Sequence, residues 1–495
     1  MSLLWTPFLP LAIVLSSLIP GLLIFTLREE QQRTRVALNL VGVVLKLLLV
    51  VVMLAGVAQG FTFRFQVPFL PGVPLILQGD ALSLQFVSLS SLLWLATTIY
   101  AIGYFRGSPL QSRFFGYFSL CVSATVGLAL AGNLVTFLLF YELLTLATFP
   151  LVVHKGTAAA LDAGRRYLAY TMGGGTLTLM GVALLHSVAA TPDFTAGGYL
   201  APLLGEVDVS LTLAFALLIA GLGVKAALVP LHGWLPRAMV APAPVSALLH
   251  AVAVVKAGAF GIIRVVYDVY GVETVAALEL TRPLLYLAGF TIVYGSLMAL
   301  RQRDIKKRLA FSTVSQVSYI TLGVALLGPV AAVGALAHLV HQGLMKVTLF
   351  YCAGSFAETC GVHQVQEMDG LGRRMPLTMV AFTLAALGMI GIPPLAGFIS
   401  KWYLGWGALA VDEPWVLVVL VVSGILNAAY FLPMIYRGWF AASKTGECAR
   451  TEAPAMLLWP TLFTAALVVL VGVFAAFDLS PLAWAQLIVD REFGL

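Results

Sequence analysis

GLGVKAALVPLHGWLP at residues 221–236 and GMIGIPPLAGFISKWY at residues 388–403 each set a lysine beside prolines, inside an apolar stretch long enough to cross a bilayer. Proline lacks the amide hydrogen that closes a helical turn, and its ring clashes with the turn before it. Both stretches therefore read as helices broken at membrane depth, the first by Pro230 and Pro236 and the second by Pro393 and Pro394. A break there frees main-chain carbonyls that lipid cannot satisfy, so it persists only where polar groups or a watery cavity meet it. Lys225 and Lys401 stand next to the two breaks.

The rest of the chain sets the class. Of 495 residues, 60% are hydrophobic and 10% charged, and the mean hydropathy is +0.98. This composition predicts an all-α polytopic membrane protein. Apolar runs near the 20 residues needed to span a bilayer recur from 4–27 to 456–477, and about fourteen transmembrane helices are expected. The first run lacks a basic start and a cleavage site, so it reads as a retained helix. The broken seventh and twelfth helices lie five apart, and five is odd, so a repeat of that length returns with inverted topology. Broken helices at matching positions of inverted repeats surround transport sites near the midplane. The expected plan is one membrane domain over 1–495. Helices 1–3 fall in 1–113, a first inverted repeat (helices 4–8) in 114–267, a second (helices 9–13) in 281–440, and helix 14 with a short tail in 456–495.

Basic residues outside the apolar runs crowd into alternate connections, among them Arg28, Arg33 and Arg35, RQRDIKKR at 301–308, and Arg437, Lys444 and Arg450. The opposite side holds only Arg64, Arg264, Arg282 and Arg491. By the positive-inside rule this predicts a multi-pass protein of the cell (inner) membrane with both termini on the non-cytoplasmic side. It also accounts for the net charge of +6 without a nucleic-acid partner.

Five lysines, Lys46, Lys225, Lys256, Lys346 and Lys401, fall inside the apolar runs, against one clear acid, Glu142. A charge at the bilayer centre costs about 2.5–3.5 kcal/mol. Four such lysines together approach the ~5–15 kcal/mol that stabilises a whole domain, so they are read as functional. Desolvation favours a neutral lysine and a nearby carboxylate the charged one, which makes Glu142 with Lys225 a candidate proton switch. Lys256 and Lys346 lie too deep to snorkel and are expected to point into the bundle, with His250 feeding Lys256 and His338 serving Lys346 through water; Lys46 is read as snorkelling or facing a neighbouring subunit. His232 falls within the first break. Cys121, Cys352, Cys360 and Cys448 show no metal-ligand spacing, and no nucleophile and base pair emerges, so neither metal, cofactor nor catalytic residue is expected. GLGVKA at 221–226 follows no strand and is not a dinucleotide turn. Gly173 to Gly175 read as a site of close helix approach.

Four stretches carry a family resemblance: FLLFYELLTLATFPLV around Glu142, KAALVPLHGWLPRAMVAPAPVSALLHAVAVVKAGAFGIIR from Lys225, RDIKKRLAFSTVSQVSYI from Arg303, and IGIPPLAGFISKW before Tyr403. Together, over nearly the whole chain, they resemble the antiporter-like subunits shared by respiratory complex I (NADH-quinone oxidoreductase), membrane-bound hydrogenases and Mrp-type Na+/H+ antiporters. The resemblance implies a fourteen-helix bundle that conducts protons through buried lysines, a glutamate, histidines and water. It makes Glu142, Lys225, His250, Lys256, His338, Lys346 and Lys401 the proton relay. Two positions depart from the pattern: Lys401 replaces the glutamate of the complex I subunit called M, and Gln342 replaces a common histidine, with His341 beside it on another helical face. The D-type subunit of Mrp antiporters is the nearest likeness, favoured by chain length, Lys401 and the short tail after Asp478. The expected function is a proton/cation-translocating subunit of a monovalent cation/proton antiporter. A proton-pumping subunit of a quinone oxidoreductase or hydrogenase is the alternative, and a membrane partner of a bicarbonate-accumulating complex a second. The implied partners are other integral membrane subunits, including homologous antiporter-like ones, together with protons, Na+ and the lipid bilayer.

Overall fold

The computed structural model describes residues 6–189, 193–442 and 451–495; Lys444, Cys448 and Arg450 lie outside the described residues. The chain begins with α1 (Leu9–Phe25) and α2 (Gln32–Ala58), then a hairpin of β1 (Phe63–Leu70) and β2 (Val73–Gly79). Next come α3 (Ala81–Tyr104), α4 (Gln111–Ala129), α5 (Leu134–Val152), α6 (Ala158–Val188), α7 (Asp208–Lys225), the short α8 (Trp234–Arg237), α9 (Ala243–Ala251) and α10 (Val254–Arg264). A π-helical turn, Val265–Tyr270, leads into α11 (Gly271–Ala277). There follow α12 (Thr281–Arg301), α13 (Ile305–Ala325), α14 (Pro329–Cys360), the short α15 (Leu371–Arg374), α16 (Pro376–Ile390), α17 (Ala396–Ala410), α18 (Trp415–Trp439), α19 (Ala455–Val473) and α20 (Pro481–Phe493).

Among the described residues, ten helical stretches are long and apolar enough to cross a membrane, with Ala243–Ala277 counted as one; α1 and α16 are shorter apolar helices. The helices start where short polar side chains take up free amides: Asp80 for α3, Asn133 for α5, Thr157 for α6, Asp304 for α13 and Ser480 for α20. Each such cap meets one of the four amide donors that a helix start leaves without an internal acceptor.

Burial locates the centre. The apolar windows of Ala243–Ala277 and α14 are 100% and 94% buried, while those of α2 and α18 are each 28% buried. The two inner elements carry His250 and Lys256 on one side and His338, His341 and Lys346 on the other. The outer ones present Val41, Leu48, Val51, Val418, Val421 and Ile425 outward, an apolar surface suited to lipid or to a neighbouring membrane chain.

Three features depart from the sequence reading. The stretch 61–79 is an antiparallel hairpin, with Phe63 opposite Gly79, that docks on the α4–α5 connection: Gly132 N–H donates to the Ile76 carbonyl at 2.9 Å, and Ile76 N–H to Thr136 Oγ1 at 2.9 Å. The tail after Asp478 is a helix, α20, packed against α3 and α14. A third helix interruption, at Val252 and Ala253, separates α9 from α10 without any proline or glycine to announce it.

Candidate functional site

Glu142 sits half-buried on α5, and the space for its carboxylate comes from α6. A Cβ at Gly175 would overlap Glu142 Oε1, whereas one at Gly173 would meet nothing within 4 Å. Gly174 and Gly221 let α6 and α7 meet backbone to backbone, a Cβ at Gly221 falling 2.5 Å from the Gly174 carbonyl. The glycine run thus has two separate tasks, helix approach at Gly174 and room for an acid at Gly175. Gly221→Ala is expected to lower stability by about 1–3 kcal/mol, because its Cβ would fall on the Gly174 carbonyl and the Thr178 amide. Gly173→Ala is expected to be neutral or slightly stabilising through helix propensity. Thermal unfolding of the two variants in detergent checks the contrast.

Lys225, fully buried, is the last residue of α7. Its ammonium donates to the Tyr141 carbonyl and lies over the Tyr141 ring, 3.3 Å from the centroid, while the Tyr141 hydroxyl donates to the Gly221 carbonyl at 3.0 Å. A helix C-terminus suits a cation, since its free carbonyls carry partial negative charge. Glu142 and Lys225 interact electrostatically, but they form no ion pair, and Glu142 Oε1 has no hydrogen-bond partner in the protein. Lys225 thus rests on the carbonyl of the residue before Glu142, within electrostatic reach of the carboxylate. His232, in the 3-10 turn Leu231–Gly233, stands edge-on to Tyr294 with ring centroids 5.2 Å apart.

At the other break, Lys401 donates to the carbonyls of Met389 and Ile390, at 2.7 and 3.0 Å. These end α16, so the lysine caps a helix that Pro393 and Pro394 prevent from continuing. Its ammonium lies 5.3 Å from the Tyr319 ring centroid. One residue earlier, Ser400 Oγ shares a hydrogen bond of 2.8 Å with His338 Nδ1.

Lys256 and Lys346 are fully buried and turn inward. Lys256 donates to the Leu339 carbonyl of α14 at 2.8 Å, and Lys346 to the Leu309 carbonyl of α13 at 3.1 Å and to Ser312 Oγ. Lys256 stands in the first turn of α10, the opposite helix end from Lys225, where free N–H groups disfavour a cation. The break at 252–253 falls between His250 and Lys256. His250 interacts with Lys346 and stacks on Phe350 at 4.6 Å, while His338 interacts with Lys256 and Lys401. These electrostatic neighbours differ from the pairing expected from helical rise along unbroken helices. Around these groups, both polar side-chain atoms of His250, His341, Gln342 and Gln316 are buried without a protein partner. Buried polar groups are otherwise almost always partnered, and ordered water is the usual partner where protein supplies none. His341 also interacts with Lys256.

Lys46 does not snorkel. It is fully buried between helices, donates to Ser17 Oγ at 2.5 Å, and lies 4.8 Å from the Trp94 ring centroid. Arg264 is the larger omission: read as belonging to a connection, it is 1% exposed, paired with Asp80 at 2.9 Å and Asp268 at 3.0 Å. Glu142 is thus not the only buried acid, and the spacing of Arg264 and Asp268, four apart, was the signal available in the sequence.

Residues 131–427 match the family model described as NADH:quinone oxidoreductase/Mrp antiporter, TM. The chain is 36% identical over 436 residues to NADH-quinone oxidoreductase subunit N of Desulforudis audaxviator (strain MP104C), covering 84% of this chain and 85% of the relative. It is 27% identical over 416 residues to the D-type Na(+)/H(+) antiporter subunit of Alkalihalophilus pseudofirmus (strain ATCC BAA-2126 / JCM 17055 / OF4), covering 83% and 82%. A chain of the Mrp complex from Dietzia sp. DQ12-45-1b shares the fold, with a TM-score of 0.85 and 23% identity over 99% of this chain and 98% of that one.

Proposed function

We propose, for a chain that belongs to the NADH:quinone oxidoreductase/Mrp antiporter family, that it is a proton/cation-translocating subunit of a multisubunit membrane complex, most simply a monovalent cation/proton antiporter of Mrp type. The observation that carries this reading is one of placement. Lys225 and Lys401 each sit on main-chain carbonyls at a broken helix, while Lys256 and Lys346 turn inward on the two most buried elements. The lysine ammoniums are fixed on protein oxygens, and the side chains between them are titratable or polar, with His250 and Gln342 lacking a protein partner. Such a series passes protons by short steps through water, without any group leaving the bundle.

In this reading Glu142 and Lys225 form the switch of a first repeat, 114–267. Lys256, with His338, His341 and Ser400, leads to Lys401 in a second, 281–440. Lys346 with His250 makes a side branch across the centre. The basic connections face the cytoplasm and both termini the other side. The outward apolar faces of α2 and α18 meet lipid and further membrane subunits, homologous ones among them.

One observation favours a second reading, a proton-pumping subunit of a quinone-reducing complex: identity is 36% with the quinone oxidoreductase relative and 27% with the antiporter relative. The test is proton movement in vesicles holding the intact complex, driven in turn by a Na+ or K+ gradient and by electron donor with quinone. Cation-driven movement supports the antiporter, donor-driven movement supports the redox pump, and neither overturns both. Glu142→Gln keeps the shape of the side chain and removes its charge. It is expected to slow movement at least about tenfold, a loss of ~1.4 kcal/mol, with assembly intact. Normal movement in that variant removes Glu142 from the relay.

A further inference from the structure

A second buried charge cluster lies at the end of α10 that is remote from the break at 252–253. Arg264 Nη2 donates to Asp80, the N-cap of α3, and to Ser83 Oγ at 2.7 Å, and its Nη1 to Asp268 in the π-helical turn. The end of α20 closes over this group. Glu492, 6% exposed, accepts from the Gly197 N–H at 3.2 Å and faces Asp268, Arg264 and Arg491. Trp484 Nε1 pins α20 to the Ala81 carbonyl at 2.8 Å. The loop carrying Gly197 is held on the π-turn: Thr195 and Tyr199 amides donate to the Asp268 and Val269 carbonyls, and a Cβ at Gly271 would overlap the Gly197 carbonyl.

The balance of charge makes this cluster unusual. One buried guanidinium faces three carboxylates. Arg264 is already committed to Asp80 and Asp268, so Glu492 is left with a main-chain amide and Arg491 at the rim. Carboxylates crowded into one site do not all ionise, and a buried charge without its own partner is strongly unfavourable. Two buried polar groups also have no protein partner, Arg264 Nε and the hydroxyl of Tyr267, and the latter interacts with Glu492. Burial, reinforced by the Asp268 charge, pushes the Glu492 carboxyl up to about 8. π-helical turns such as Val265–Tyr270 recur at functional sites. On the inner side, a crevice too narrow to hold water runs from Arg264 past Gly261, Phe137 and Thr178 to Leu222, one turn before Lys225.

We propose that Glu492, with Asp268, Asp80, Arg264 and Tyr267, is a second proton-binding site of this subunit, opening to the face covered by α20 and separated from the Lys225 site by Arg264. Uptake forms one O–H bond on the Glu492 carboxylate and removes one negative charge from the cluster; release returns the proton to water beside α20. The site deepens the proton-translocation reading and rests on it for its purpose, though not for its chemistry.

The test is infrared difference spectroscopy of the intact complex stepped from about pH 6 to about pH 9, with proton movement in vesicles measured over the same range. A protonated carboxyl C=O band is expected to disappear over that step in the wild type and to be missing from Glu492→Gln. A wild type without the band, or a Glu492→Gln complex that keeps it, overturns the site. Should Glu492→Gln fail to assemble, Tyr267→Phe replaces it: a shifted band supports the site and an unchanged one overturns it. A wild-type complex that shows the band but moves no protons under any drive overturns the translocation reading and leaves proton binding at Glu492 standing.

Discussion

Lys401→Ala is expected to lower proton movement about 10²-fold or more, the scale on which positioned proton-transfer groups act, while leaving the subunit folded. The geometry separates the two effects. The ammonium bridges the last carbonyls of α16, and Asn427 Nδ2 already reaches the Met389 carbonyl at 3.3 Å. Truncation therefore leaves one acceptor, that of Ile390, without its donor, at a cost of about 1–3 kcal/mol. In the proposed relay the proton site goes with the ammonium, since among the described residues the other side chain on those carbonyls is the amide of Asn427. Lys401→Glu is expected to be less damaging, with a particular sign. A glutamate there faces the carbonyls of Met389 and Ile390, so it works while protonated and repels them once ionised; its activity should survive at low pH and fade as pH rises. Vesicle measurements across pH check this. Equal and complete loss in both variants would mean a specific need for lysine, and normal movement in Lys401→Ala would take the residue out of the pathway.

That expectation was available from the sequence because its cause is local. Pro393 and Pro394 break a helix wherever they stand, and the lysine lies within a turn or two of the freed carbonyls. The same holds for Lys225, and the glycine run 173–175 pointed to a close helix approach without naming its partner. What escaped the sequence depends on residues far apart in it. Arg264 and Asp80 are 184 positions apart, and neither alternation nor helical period shows that α3 starts beside the end of α10. The hairpin at 61–79 is held on the α4–α5 connection by Gly132 and Thr136, a docking contact that no periodicity of the segment shows. The break at Val252 and Ala253 has no proline or glycine, and the extended, fully packed surroundings of α9 and α10 override a sequence that reads as continuous helix.

The proposed path from Lys256 through His338 gives the second large expectation. Lys256→Ala should also reduce proton movement about 10²-fold or more, because the ammonium is the one group on α10 that reaches across to α14, at the Leu339 carbonyl. His338 and His341, on either side of Leu339 in the chain, both interact with Lys256. From His338 the path continues by one hydrogen bond to Ser400, and Ser400 adjoins Lys401. On this geometry His338→Gln, which keeps a polar side chain but cannot take up a proton, should approach the loss seen in Lys256→Ala. His250→Gln should be milder, because His250 lies toward Lys346 and off the line from Lys256 to Lys401. An unbroken helix through 243–267 predicts the opposite order, with His250 feeding Lys256 from nearly two turns away. Proton movement by the three variants in one vesicle preparation therefore decides between the two routes: a His250→Gln defect larger than that of His338→Gln would sink the path through Ser400.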